Sequence, residues 1–198
     1  MAMRQVWEMW GGVLTVWALT VPVLVVWIRV VMWLRRGQPH TLALRNTLAE
    51  AGILIGTVPW IWMILSPTGG QREVTLVPLR DLVDTLTGVP EQVVVQVGAN
   101  LIVFLPLGLL LPLRLPRFAG VLRMFLVGAA LSALLEVAQY AFDLGRVSSV
   151  DDVLMNATGA AIGAALMGPA HRLVIRAQRM RKTGPRGRNG SEAPAGMR

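Results

Sequence analysis

Residues 93–113 read VVVQVGANLIVFLPLGLLLPL, and residues 124–142 read MFLVGAALSALLEVAQYAF. Each run approaches the ~20 apolar residues that a helix needs to cross a hydrocarbon layer ~30 Å thick. Neither shows the half-polar stripe of a helix lying on a water-soluble core. These two runs decide the fold, because they read as membrane spans and they also carry Asn100 and Glu136. A carboxylate at such depth costs about 3 kcal/mol or more, so it marks a place where recognition or chemistry is to be sought.

Working outward, three more apolar runs appear, at about 13–34, 47–65 and 153–175. Of the 198 residues, 54% are hydrophobic and 15% charged, with mean hydropathy +0.57; soluble domains carry roughly 25% charged residues. The reading is an all-α membrane protein: a five-helix transmembrane bundle, spans about 13–34, 47–65, 93–113, 124–142 and 153–175. Residues 1–12 form an extracytoplasmic amino terminus, 13–175 the transmembrane domain, and 176–198 a disordered basic cytoplasmic tail. The fifth span is rich in Ala and Gly, which places it among the other helices rather than against lipid. Within the tail, the Gly, Pro, Ser and Arg of Thr183–Arg198 cannot bury enough apolar area to fold.

The basic residues sort by side. Arg35, Arg36 and Arg45 lie between the first two runs, Arg114, Arg117 and Arg123 between the third and fourth, and a larger group from Arg172 onward. The opposite side holds Arg4, Arg72, Arg80 and Arg146. The positive-inside rule then puts the amino terminus outside and the carboxy terminus in the cytoplasm of a multi-pass plasma-membrane protein. The first run is expected to stay as a span rather than be cleaved as a signal, because Arg29, Arg35 and Arg36 fall within or after it rather than before it. In the outer loop, about Ser66–Gln92, Leu79, Leu82, Val83 and Leu86 fall at helical spacing behind Pro78. They predict a short amphipathic helix on the outer membrane surface.

Polar residues then cluster toward the outer side. Asn100, Phe104 and Gly108 repeat every four residues and share a helix face. Pro106 breaks the hydrogen-bond ladder between them. Glu136 and Gln139 lie on one stripe of the fourth span. Asp152, Asn156, Gly159 and Gly163 lie on one stripe of the fifth, and Gly159-x3-Gly163 is a small-x3-small motif for close helix approach. Arg146 sits just outside, with a stem long enough to reach inward. The candidate site is therefore an outward-facing pocket formed by Asn100, Glu136, Gln139, Arg146, Asp151, Asp152 and Asn156. Phe104, Pro106, Gly108, Gly159 and Gly163 are its structural frame. Each polar residue also has a packing role open to it: Glu136 as partner of Arg146, one aspartate as a helix cap, the asparagines as interhelical glue. Glu50 and Arg29, towards the cytoplasmic side, read as structural.

Several chemistries are disfavoured. The chain has no cysteine, hence no disulfide, thiol nucleophile or thiolate metal site. His40 and His171 fall on the cytoplasmic side, away from Glu136, so a Ser-His-Asp or His-metal arrangement does not assemble at the outer pocket. No cofactor and no metal site is assigned. Membrane lipids are the expected partners, the basic tail facing anionic lipid heads rather than nucleic acid.

At these residues the chain resembles the VanZ-like family of bacterial membrane proteins. The resemblance covers about Leu76–Gly168. It rests jointly on Leu76-Val77-Pro78-Leu79-Arg80-Asp81-Leu82, Asn100-x3-Phe104-x-Pro106-x-Gly108, Glu136-x2-Gln139, and Gly145-Arg146 followed by Asp151-Asp152-x3-Asn156-x2-Gly159-Ala160. Where the family often has a further acid, this chain has Ser148-Ser149, which weakens any three-carboxylate metal reading. The resemblance implies a cell-envelope protein, the name-giving member being associated with low-level resistance to the lipoglycopeptide teicoplanin. The expectation is a protein, more binding than catalytic, that engages lipid-linked cell-wall molecules or lipoglycopeptides at the outer leaflet and alters antibiotic access. Two alternatives stand beside it: a membrane enzyme modifying a surface lipid or cell-wall precursor with Glu136 and Asp152 as acid and base, and a membrane scaffold or transport accessory.

Overall fold

The computed structural model describes residues 2–80, 83, 87 and 90–182. Five long helices account for most of them: α1 (Ala2–Leu34), α2 (His40–Ile64), α3 (Pro90–Arg114), α4 (Val121–Ala141) and α5 (Val150–Lys182). A 3-10 turn at Pro116–Phe118 links α3 to α4. Among the described residues, four helices are long and apolar enough to cross a membrane, over Leu14–Leu34, His40–Ile64, Gln96–Arg114 and Val121–Ala141. Their outer faces leave large apolar side chains exposed, among them Leu19, Val23, Leu122, Leu134 and Val137, as lipid-facing surfaces do.

The fifth helix differs from its neighbours. Ala and Gly lower its hydropathy, and it falls short of the other four as a span. It runs to Lys182, past the boundary near 175 drawn from the sequence, so residues 176–182 are helical. Residues 183–198 lie outside the described residues. The first helix also begins earlier than expected: it is continuous from Ala2, so the segment expected as an amino-terminal extension is helical.

The core forms where α5 packs against α3 and α4, with α2 against α3 and α1 mainly against α2. Val103, Phe104, Leu107, Met124, Ala160 and Ala164 are its buried cluster. Glycines set the spacing. A methyl group at Gly108 would run into the backbone of Ala160, and one at Gly159 into the backbone of Leu101. One at Gly163 would meet Leu105, and one at Gly128 would lie 3.0 Å from the Ala157 Cα. The face Asn100-x3-Phe104-x3-Gly108 and the Gly159-x3-Gly163 motif are therefore two sides of one tight α3–α5 seam. Pro106 fits a second one: its ring would lie 2.6 Å from a methyl placed at Gly56 of α2.

At the end of the bundle that carries the carboxy-terminal ends of α1 and α3, Glu50 of α2 takes two arginines. Arg35 reaches it at 2.7 Å and donates to the Thr47 hydroxyl at 2.8 Å, and the Arg114 Nε donates to the same carboxylate. Glu50 thus ties three helices together, a structural role that its sequence position allowed but whose partners the sequence did not reveal.

The opposite end holds a feature the sequence reading lacked. Strand β1 (Glu73–Thr75) pairs in parallel with β2 (Val147–Ser149), with Val74 opposite Ser148. The pair pins the segment after α2 onto the corner between α4 and α5. Thr68 strengthens it: its amide donates to the Leu144 carbonyl at 3.0 Å and its hydroxyl to the Gly145 carbonyl at 2.5 Å. Gly145 has φ 65°, and a methyl there would come within 2.7 Å of the Gly70 backbone, so both conformation and space require glycine. Most of the amphipathic helix expected behind Pro78 lies outside the described residues.

Candidate functional site

The sequence-derived polar residues lie at this strand-bearing end, but they are shared among several tasks. Gln139, buried, donates its Nε2 to the Ile64 carbonyl at 3.1 Å. Arg146 donates Nε to the Ser66 carbonyl at 3.1 Å and Nη2 to the Met63 carbonyl at 3.0 Å. These carbonyls belong to the last turn of α2 and the residues just beyond, where no intrahelical donor remains. Gln139 and Arg146 therefore cap α2 from the side. Burial pulls the Arg146 pKa below its ordinary value, and the negative charges of Glu136 and Asp152 push it back up; the guanidinium stays protonated.

Asp151 is 2% exposed and accepts the Leu79 N–H at 2.5 Å. It holds the outer segment against the start of α5, where its charge also suits the helix dipole. Asn100 of α3 donates to the Asp152 carboxylate at 2.5 Å, joining α3 to α5. One turn deeper, Asn156 donates to the Ser132 hydroxyl at 2.8 Å and joins α5 to α4.

Glu136 stands apart from the others. Its side chain borders an open groove of about 390 Å³ between α4, the strand pair and the first turn of α5. Ala133, Glu136, Val137 and Tyr140 supply the α4 wall, Val74 and Leu76 the outer segment, and Val150 and Val153 the α5 wall. The size falls within the ~300–1,000 Å³ typical of small-molecule sites. Apart from Glu136 and the two serines of β2, the walls are hydrocarbon and the Tyr140 ring. Val137 is 64% exposed, so the groove opens sideways, on the face that a bilayer would cover. The Ser149 N–H donates to Glu136 Oε2 at 3.2 Å, and the Ser148 hydroxyl to the Glu136 carbonyl at 3.1 Å. Asp152 and Arg146 lie near enough for their charges to act on Glu136. Among the described residues no ion pair joins Glu136 to Arg146, because the guanidinium is turned to the end of α2.

Of the seven residues expected to share one pocket, Glu136 alone lines this groove; the rest surround or brace it. The groove residues Ala133, Val137 and Tyr140 flank Glu136 at helical spacing and were legible as one α4 face. Val74 and Leu76 were not, since their place depends on a strand pair spanning more than seventy positions of the chain. No cluster of three or more His, Cys, Asp or Glu side chains fit to hold a metal ion occurs among the described residues.

The fold and site define a helical membrane protein whose mostly apolar, side-opening groove carries a single carboxylate. A family model described as VanZ/LLP1 matches residues 23–171. The match spans well over half of the chain and takes in the whole groove, and the chain belongs to the VanZ/LLP1 family. No match is found among curated proteins or among solved structures.

Proposed function

We propose that this chain is an envelope membrane protein that engages amphiphiles at the outer leaflet, either lipid-linked cell-wall molecules or lipoglycopeptides, and so alters antibiotic access. The observation that carries this reading is the apolar groove at Glu136, open to the side rather than to the end of the bundle. A ligand with a hydrocarbon tail enters such a groove from the bilayer without crossing water. In this reading all five helices span, α5 does so shielded by its neighbours, and the amino terminus is outside. The test uses a lipid with a photoreactive acyl chain in membranes holding the protein. Labelling concentrated on residues 133–153 and 74–76 is the expected result. Labelling confined to α1 and the outer faces of α2 sinks the reading. Teicoplanin susceptibility of cells with and without the protein tests the consequence for access.

Orientation has its own test, made simple by the absence of cysteine. Arg188→Cys is expected to resist a membrane-impermeant thiol reagent in intact cells and to react after lysis.

A second reading, supported by the mutual influence of the Glu136 and Asp152 charges, is an enzyme that uses them as acid and base, respectively, on a surface lipid. A new lipid or precursor mass in cells expressing the protein, lost in Glu136→Gln, would favour it.

A further inference from the structure

The groove also carries information about the head of its ligand. This step rests on the reading above, that a tailed amphiphile occupies the groove. The walls offer no fixed cation aimed inward. Arg146 spends its guanidinium on the Met63 and Ser66 carbonyls. Arg72, at the rim, lies 4.6 Å from the centroid of the Tyr140 ring, with the Asp143 carboxylate at 3.9 Å to offset its charge. Glu136 is the charged group on the groove wall, with the charges of Asp152 and Arg146, of opposite sign, both acting on it from outside the wall.

A carboxylate offers about four acceptor positions. In this site the Ser149 N–H at 3.2 Å takes one of them. The Ser148 hydroxyl lies beside the carboxylate as a second donor; apart from the hydroxyls of Ser149 and Tyr140 the rest of the wall is hydrocarbon, and no group lining it carries a positive charge. Phosphate or carboxylate heads bring only more acceptors and more negative charge. A primary ammonium brings three N–H donors and the opposite charge, in surroundings where low dielectric strengthens the attraction. We infer that the groove selects acyl amphiphiles whose head carries a primary ammonium, with Glu136 receiving that ammonium and the tail lying along Val74, Leu76, Val137 and Val153.

The test reconstitutes the full chain in phosphatidylcholine nanodiscs. It adds a trace of one of two photoreactive lipids with identical tails, one with an ethanolamine head and one with a glycerol head. Labelled peptides are then quantified by mass spectrometry. The ethanolamine probe is expected to label residues 133–137 about tenfold more than the glycerol probe, the scale of a charge-assisted hydrogen bond gained. In Glu136→Gln the ratio is expected to fall to near one while tail labelling persists. Equal labelling of the wild-type groove by both probes, or a preference for the glycerol head, overturns the selectivity and leaves the tail reading standing. Absence of groove labelling with either probe overturns the tail reading and this inference with it. The wild-type ratio decides the matter even if the Glu136→Gln protein does not accumulate.

Discussion

The Leu79 amide donates to the Asp151 carboxylate at 2.5 Å, and Leu79 holds a left-handed backbone conformation, φ 66°, to do so. A non-glycine residue there costs on the order of 1 kcal/mol. The hydrogen bond to a buried acid offsets that cost and fixes the outer segment, whose Val74 and Leu76 form one wall of the Glu136 groove.

Asp151→Ala removes this anchor and leaves the Leu79 N–H without it. Loss of a charge-assisted bond of this kind destabilises by about 1–3 kcal/mol. The expected outcome is faster amide exchange and faster proteolysis across residues 66–80, with exchange in the α3–α5 seam less affected. Uniform protection across residues 66–80 in the variant would show that the strand pair alone holds the segment.

The glycine seam makes a second prediction with an internal control. Gly108→Ala and Gly159→Ala each drive a methyl into the backbone of the facing helix. Backbone cannot give way as a side-chain tip can, so a loss of about 1–3 kcal/mol or more is expected. Gly98→Ala, in the same helix as Gly108, meets nothing within 4 Å and is expected to be neutral or to stabilise by up to about 1 kcal/mol through helix propensity. Thermal unfolding in one detergent, followed for all three proteins, checks the contrast.

Much of this seam was readable beforehand. The four-residue repeat from Asn100 through Phe104 to Gly108, and the spacing of Gly159 and Gly163, follow from helix geometry alone. A helix that lines up its small residues must bring a partner close. The groove was only half readable. The α4 side of Glu136 obeys the same periodicity, but the other wall comes from strands three residues long, too short to show any period. The partners of Gln139 and Arg146 were not readable at all, because both donate to backbone carbonyls and a carbonyl carries no residue identity. That is why a Glu136–Arg146 pair looked natural in the sequence, whereas the folded chain turns the guanidinium toward α2.

Glu50 gives a third prediction. Its carboxylate is shared by Arg35 and Arg114, whose side chains are 16% and 36% exposed. Glu50→Gln leaves two cations facing each other without their common partner. Removing one member of a fully buried pair costs about 3–5 kcal/mol; solvent screening at this partly exposed site reduces the expectation to about 1–2 kcal/mol. Adding Arg114→Gln to Glu50→Gln removes the second cation and is expected to recover part of the loss. Melting temperatures of the two variants and the wild type measure both effects.

The last prediction separates Glu136 from Arg146. Arg146 caps the end of α2 through two hydrogen bonds to carbonyls, so Arg146→Ala is expected to reduce membrane abundance and melting temperature, by about 1–3 kcal/mol in stability. Glu136→Gln keeps shape and most hydrogen-bonding capacity at the groove wall. It is expected to leave abundance and tail labelling of the groove near normal while removing the ammonium preference in photolabelling and any effect on antibiotic susceptibility that depends on it. If the two residues worked as one ion pair, the double variant Glu136→Gln with Arg146→Gln would recover much of what each single change loses. With Arg146 turned to α2 the losses are expected to add, one in abundance and the other in activity. Recovery of both abundance and activity in the double variant would restore the ion pair as the working unit and remove Glu136 as an independent ligand contact.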